Sequence, residues 1–224
     1  MRISPALAAA LAATAVLGSP AHAGSPDGKV QIKLLGTAVL PDGKIDRVST
    51  DAVGLPGTLQ TEASDNYVPT VAIEYFVSPS VSVETICCVT QHDVDATGGL
   101  PGAELVSDAK LIPATVTLKY HLNAGGVSPY VGVGPAYFLW LDVDPGAATI
   151  PLGVTRTTLS DEFGVVLQAG IDVPIGSNGF SLGLDAKRYF IGTTARWRAG
   201  SNVVIETDHD LDPWVLSAGI GYRF

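Results

Sequence analysis

Beyond its first two dozen residues, the 224-residue sequence contains no apolar run near the roughly 18 residues that a membrane-spanning helix needs. Basic residues are scarce, 13 Lys and Arg against 22 Asp and Glu. The resulting net charge of −9 excludes the phosphate-neutralising surface that a nucleic-acid partner requires. There are two cysteines, Cys87 and Cys88, and they are adjacent, so no disulfide framework exists. Neighbours on an extended strand point to opposite faces, which would strain a bridge between them, and they read as two small hydrophobes. No further Cys or His stands at ligand spacing, so a redox or metal role has no support. The glycines of "GVGP", Gly132 and Gly134, lack the helix start and Lys of a phosphate loop and are expected to make room beside larger neighbours inside a barrel.

What is present is apolar content spread thinly. Hydrophobic residues make up 46% of the chain and charged ones only 16%, with a mean hydropathy of +0.31, which is apolar for a soluble globule. The start, "MRISPALAAALAATAVLGSPAHA", runs from Arg2 through an Ala/Leu stretch to Ala21-His22-Ala23. It reads as a secretory signal peptide over residues 1–23, cleaved after Ala23 and set aside from the fold.

The remainder, 24–224, falls into eight segments with period-two apolar alternation, at about 29–40, 66–77, 80–90, 111–122, 128–141, 162–173, 179–191 and 212–224. Most approach the 9 to 11 residues that a tilted strand needs to cross a bilayer core. The connections "SP", "NAGGV" and "PIGSN" are short and turn-like, whereas those near 41–65, 91–110, 142–161 and 192–211 are long. Alternating long and short connections predict an all-β, eight-stranded antiparallel up-and-down transmembrane β-barrel. Such a barrel is expected in the outer membrane of a Gram-negative cell, with four long extracellular loops and with tight turns and both termini periplasmic. Counted over 41–65, 91–110, 142–162 and 192–210, the long loops hold 16 acidic and 6 basic residues, a net of −10. An acidic rim is either a solvated, soluble edge or a surface that divalent cations bridge to lipopolysaccharide phosphates.

Face by face the strands agree with a lipid-facing barrel. "DEFGVVLQAGIDVPI" places Phe163, Val165, Leu167, Ala169, Ile171 and Val173 outward, and Gly164, Val166, Gln168, Gly170 and Asp172 inward. "KLIPATVTLKYHL" and "NYVPTVAIEYFV" divide the same way. A water-soluble barrel would point its apolar face in. In the last strand Trp214, Leu216, Ala218, Ile220, Tyr222 and Phe224 share one face, which places Phe224 at the lower aromatic girdle.

"LDPWVLSAGIGYRF" (211–224), "SPYVGVGPAYF" (128–138), "IPATVTLKYHL" (112–122) and "GTAVLPDG" together resemble the OmpW family of small outer-membrane proteins, over essentially the whole mature chain. Asp-Pro-Trp with the terminal Tyr-x-Phe is the more specific part. The resemblance implies an eight-stranded barrel with a narrow hydrophobic channel passing small apolar molecules. It also implies that the terminal aromatics, Tyr222 and Phe224, are the signal read by the barrel-assembly machinery.

An eight-stranded barrel has an interior wide enough for its own side chains or one small ligand, which excludes a water-filled general porin. Sorted by depth, the inward faces place Lys33, Glu74, Glu84, Lys119, Asp172 and Arg223 near the periplasmic end, with Asp185 and Lys187 nearer mid-height. Val39, Val68, Ile86, Phe138, Trp140, Val166 and Val215 lie toward the outer end. One reading is an apolar outer vestibule for a small hydrophobic solute above a charge-paired plug, the solute leaving sideways into the bilayer. The other is a barrel packed solid by the same residues. A structural or adhesive surface barrel, acting through its loops, is a different-class alternative. An outer-membrane enzyme is a further one, but no nucleophile motif accompanies His92, His209 and the loop aspartates, and the sequence is read as non-enzymatic, without cofactor. "QHDVD" and "TDHDLD" pair His with Asp on expected loops, at a spacing that matches no known metal pattern.

Overall fold

The computed structural model describes residues 25, 27–122 and 124–224; the expected signal peptide lies outside the described residues. Along the chain run β1 (Val30–Leu40), β2 (Lys44–Asp51), β3 (Gln60–Ala63), β4 (Asn66–Ser78), β5 (Val81–Cys87), β6 (Thr90–Gly98), β7 (Glu104–His121) and β8 (Ser128–Pro145). A 3-10 helix (Ala147–Leu152) precedes β9 (Arg156–Leu159), β10 (Glu162–Ile175), β11 (Phe180–Phe190), β12 (Gly192–Ala199), β13 (Asn202–Asp210) and β14 (Trp214–Arg223). Eight of these close a barrel, all neighbours antiparallel, in the order β1-β4-β5-β7-β8-β10-β11-β14 and back to β1. Closure of β14 on β1 leaves no terminal strand with a free edge in the barrel, as a bilayer interior demands.

The expected loops are the main correction. Three of the four long connections form a second sheet, β2-β13-β12-β9, and β6 with the upper parts of β7 and β8 prolongs the barrel wall. These stretches alternate in the opposite sense: β12 buries Thr193, Ala195 and Trp197 and turns Arg196 and Arg198 toward the outside. Above the lipid a strand faces water on one side and its own core on the other, so the charges that suggested loops are the outer face of amphipathic strands.

Two aromatic belts mark the lipid-facing band. Tyr67, Phe163 and Trp214 are exposed near the end that carries the long connections, here the upper end, and Tyr75, Tyr120 and Phe180 are exposed near the short-turn end. Eight steps separate Tyr67 from Tyr75, about 20 Å of height for a strand tilted ~40°, near the expected apolar band. Phe163 packs against Tyr137 with ring centres 4.5 Å apart and Phe180 against Tyr222 at 4.8 Å, both pairs tilted. Where β1 meets β14, Gly219 lets the strands close, since a Cβ there would lie 2.0 Å from the Leu34 carbonyl oxygen.

Candidate functional site in the barrel lumen

Period two sends every second residue inward, and in the lower half those residues are charged. Lys119 Nζ donates to Glu74 Oε2 and to Glu84 Oε2, each at 2.8 Å. Lys33 Nζ reaches Asp172 Oδ2 at 2.9 Å and Glu74 Oε2 at 3.1 Å. Lys187 Nζ reaches Asp185 Oδ1 at 2.7 Å and Glu84 Oε1 at 3.1 Å. All seven side chains are buried. Burying ions is costly unless each is paired and hydrogen-bonded, and nearly every oxygen here is; Asp172 Oδ1 is the exception.

Neutral partners complete the network. Gln168 Nε2 donates to Glu84 Oε1 (2.9 Å) and Asp185 Oδ2 (2.6 Å), and Tyr130 Oη donates to Asp185 Oδ2 (2.7 Å). His121 Nε2 and Ser82 Oγ both reach Glu74 Oε1, and the Tyr130 ring lies beneath the Lys119 ammonium at 3.7 Å. Tyr130, Ser82, Gln168 and His121 are additions to the charged residues expected in the lumen. Gln168 and His121 share the inward parity of Asp172 and Lys119, and that was the available signal. Arg223 stands apart: half-buried at the lower rim, it donates from Nε to the Gly28 carbonyl at 2.6 Å, lies 3.5 Å over the Phe76 ring and makes no ion pair with the four acids.

Above this charge network is a narrow cavity of about 50 Å3, several times the roughly 10–15 Å3 that a cavity needs to hold one water. Val39, Ile86, Phe138, Trp140 and Val215 line it, with Lys187 and Tyr189 at its lower end. Val166 is fully buried in the cluster formed by Phe138 and Tyr189, and Val68 packs against that cluster, neither lining the cavity. Tyr189, Leu111 and Trp197 also line it and were not foreseen, Trp197 because it belongs to a stretch read as loop. Cys88 faces the cavity while Cys87 is exposed on the outer surface, and both thiols are free.

The wall beside this cavity is incompletely laddered. Pairing of β4 with β5 ends at Val71–Cys87, leaving Asn66–Thr70 without a strand partner on that side. The β5–β7 ladder ends at Ile86–Thr115 and resumes as β6–β7 at Thr90–Leu111. Counting on in each register sets Pro113 opposite Cys88 and Pro69 opposite Val89. Proline supplies no N–H to a ladder, so the Cys88-Val89 segment is flanked by a proline on each side. Thr70, at this break, lines the cavity beside Cys88, and its buried hydroxyl has no nitrogen or oxygen partner among the described residues.

The two expected His–Asp pairs are not exposed loop features. His92 and His209 are buried and turned inward. His92 Nδ1 donates to the Ser64 carbonyl and Nε2 accepts from Thr90 Oγ1, both at 2.6 Å. His209 repeats the arrangement with the Gly43 carbonyl (3.3 Å) and Thr207 Oγ1 (2.6 Å). Both lie above the upper aromatic belt, and desolvation pushes both below the ordinary histidine range. With both ring nitrogens engaged, neither is available as a ligand or a base. No group of three or more potential metal ligands is assembled among the described residues.

The chain resembles known proteins along nearly its full length. It is 30% identical to the outer-membrane protein y4mB of Sinorhizobium fredii, covering 100% of this chain and 96% of that one. Outer membrane protein W of Vibrio cholerae is 24% identical over 96% of this chain and 97% of its own. The crystal structure of OprG from Pseudomonas aeruginosa superposes with a TM-score of 0.78 at 25% identity, over 90% of this chain and 98% of that one. AlkL in lipid bilayers, at 23% identity and a TM-score of 0.69 over 92% and 95% of the two chains, shares the fold. A family model matches residues 26–224, and with the closed lipid-facing barrel this establishes that the chain is an outer-membrane β-barrel protein belonging to the OmpW family.

Proposed function

We propose that the protein is a non-enzymatic passage for small hydrophobic molecules, which enter the apolar vestibule from the upper, extracellular end and leave sideways into the bilayer. The supporting observation is the combination of an apolar cavity, a charge-paired floor and a wall break at one height: Thr70 and Cys88 touch the cavity where the ladders stop. A solute stopped by seven buried charges finds its least hindered way out between β4 and the β5–β6 junction. Trp140 lines the cavity and is anchored by Nε1 to the Ser160 carbonyl at 3.1 Å. Trp140→Asp puts a carboxylate into the vestibule, and uptake of an apolar dye by proteoliposomes is expected to fall at least tenfold. Unchanged uptake would return the lumen to the packed reading. The termini are then periplasmic, the acidic rim faces lipopolysaccharide, and Tyr222 and Phe224 are offered to the assembly machinery.

A further inference from the structure

At the short-turn end, below the buried charge network, lies a separate space of about 70 Å3 bordered by Asp172, Gln31, Ser128, Ser181, His121 and Arg223. A cavity needs only roughly 10–15 Å3 to hold one water, so a small ion and a few waters fit.

The network above this space is short of one positive charge. Glu74, Glu84, Asp172 and Asp185 meet Lys33, Lys119 and Lys187, four carboxylates against three ammoniums. Arg223 does not make up the difference, because its Nε donates to the Gly28 carbonyl at 2.6 Å and its guanidinium lies 3.5 Å over the Phe76 ring. The shortfall falls on Asp172. Lys33 holds Oδ2 at 2.9 Å, whereas Oδ1 is buried without a hydrogen-bond partner among the described residues, on a side chain only 8% exposed. An unpaired carboxylate oxygen at that depth is costly, and a cation supplies both the missing contact and the missing charge. Gly183, opposite Asp172 on β11, leaves room beside the oxygen, since a Cβ there would lie 3.0 Å from Oδ1.

The rest of the lining suits an alkali metal ion. Gln31 Nε2 donates to Ser181 Oγ at 3.0 Å, which leaves the amide oxygen free, and Ser128 and Ser181 add hydroxyl oxygens. Hard cations take such oxygen ligands. A divalent ion would overshoot a deficit of one, with Lys33 and Arg223 as its neighbours.

We propose that this space binds one monovalent alkali cation, potassium or sodium, which enters from the short-turn side, is held by Asp172 and makes the floor of the lumen electroneutral. Two measurements on the full-length protein test it. Crystals soaked in thallium(I) nitrate, thallium replacing potassium, should show an anomalous peak beside the Asp172 carboxylate that is absent in Asp172→Asn. The parent's urea midpoint should stand about 0.5 M higher in potassium chloride than in N-methylglucamine chloride of the same ionic strength. Both salts screen alike, and the organic cation is too large for the space. In Asp172→Asn the two midpoints should coincide; both parent measurements stand whether or not that variant folds. A parent without the thallium peak, or with equal midpoints, overturns the proposal, and the deficit is then met within the chain by an imidazolium at His121 or by Arg223 turned inward. A thallium peak that persists in Asp172→Asn overturns it as well.

Discussion

Lys119 is the centre of the buried charge network, and its replacement by Met gives the clearest test of whether those charges are held as pairs. Its ammonium is fully buried and contacts Glu74 and Glu84 at 2.8 Å each. With an effective dielectric of about 20, each contact has a gross attraction of roughly 6 kcal/mol, most of it offset by the desolvation of the three ions. Removing the cation leaves both carboxylates buried, with Lys33 and Lys187 as the remaining ammonium partners. Breaking a buried pair from one side costs about 3–5 kcal/mol. Lys119→Met should therefore lower the unfolding free energy in urea, measured in lipid vesicles by tryptophan fluorescence, by that amount. Adding Glu74→Gln to it removes one stranded charge and should recover at least ~1.5 kcal/mol. A single variant within about 0.5 kcal/mol of the parent, or a double variant less stable than the single, would refute the pairing argument.

Gly219 and Gly36 face each other's strands across the closing seam and should behave oppositely. Gly219→Val forces side-chain atoms into the Leu34 carbonyl and should abolish the heat-modifiable folded band on gels, whereas at Gly36, where the nearest atom to a new Cβ is 3.9 Å away, Ala should preserve it. His92 and His209 predict an acid dependence. Because burial holds both below the usual range, the unfolded chain takes up protons near pH 6.5 that the folded one refuses. Their contribution is full above about pH 6.5 and is lost as pH falls through it toward the folded values. The urea midpoint should drop between pH 7 and 5, and the double variant His92→Gln, His209→Gln should flatten that drop; identical slopes would contradict neutral buried rings.

The eight barrel strands were legible because lipid enforces a one-sided rule: an outward residue between the belts must be apolar, so alternation in "DEFGVVLQAGIDVPI" reads directly as a strand. Lys33, Glu74, Glu84, Lys119, Asp172, Asp185 and Lys187 are buried inward by the same parity, since a charge on a membrane strand has only the lumen to face. Arg223 broke the pattern because it sits at the rim, where a backbone carbonyl and the Phe76 face satisfy it as well as a carboxylate would. Above the lipid the rule disappears. There β12 and β13 are amphipathic in the opposite sense, their charges resemble loop composition, and the sheet that buries Trp197 and His209 is completed by strands distant in sequence, β9 beside β12 and β2 beside β13. Tertiary structure alone decided that Pro69 and Pro113 flank one two-residue segment, because their coincidence depends on the registers of two separate ladders. The sequence determined the barrel and the depth of its charges through local alternation. The upper sheet, the burial of Trp197 and the break in the wall are non-local, and they follow from which strands meet and in what register.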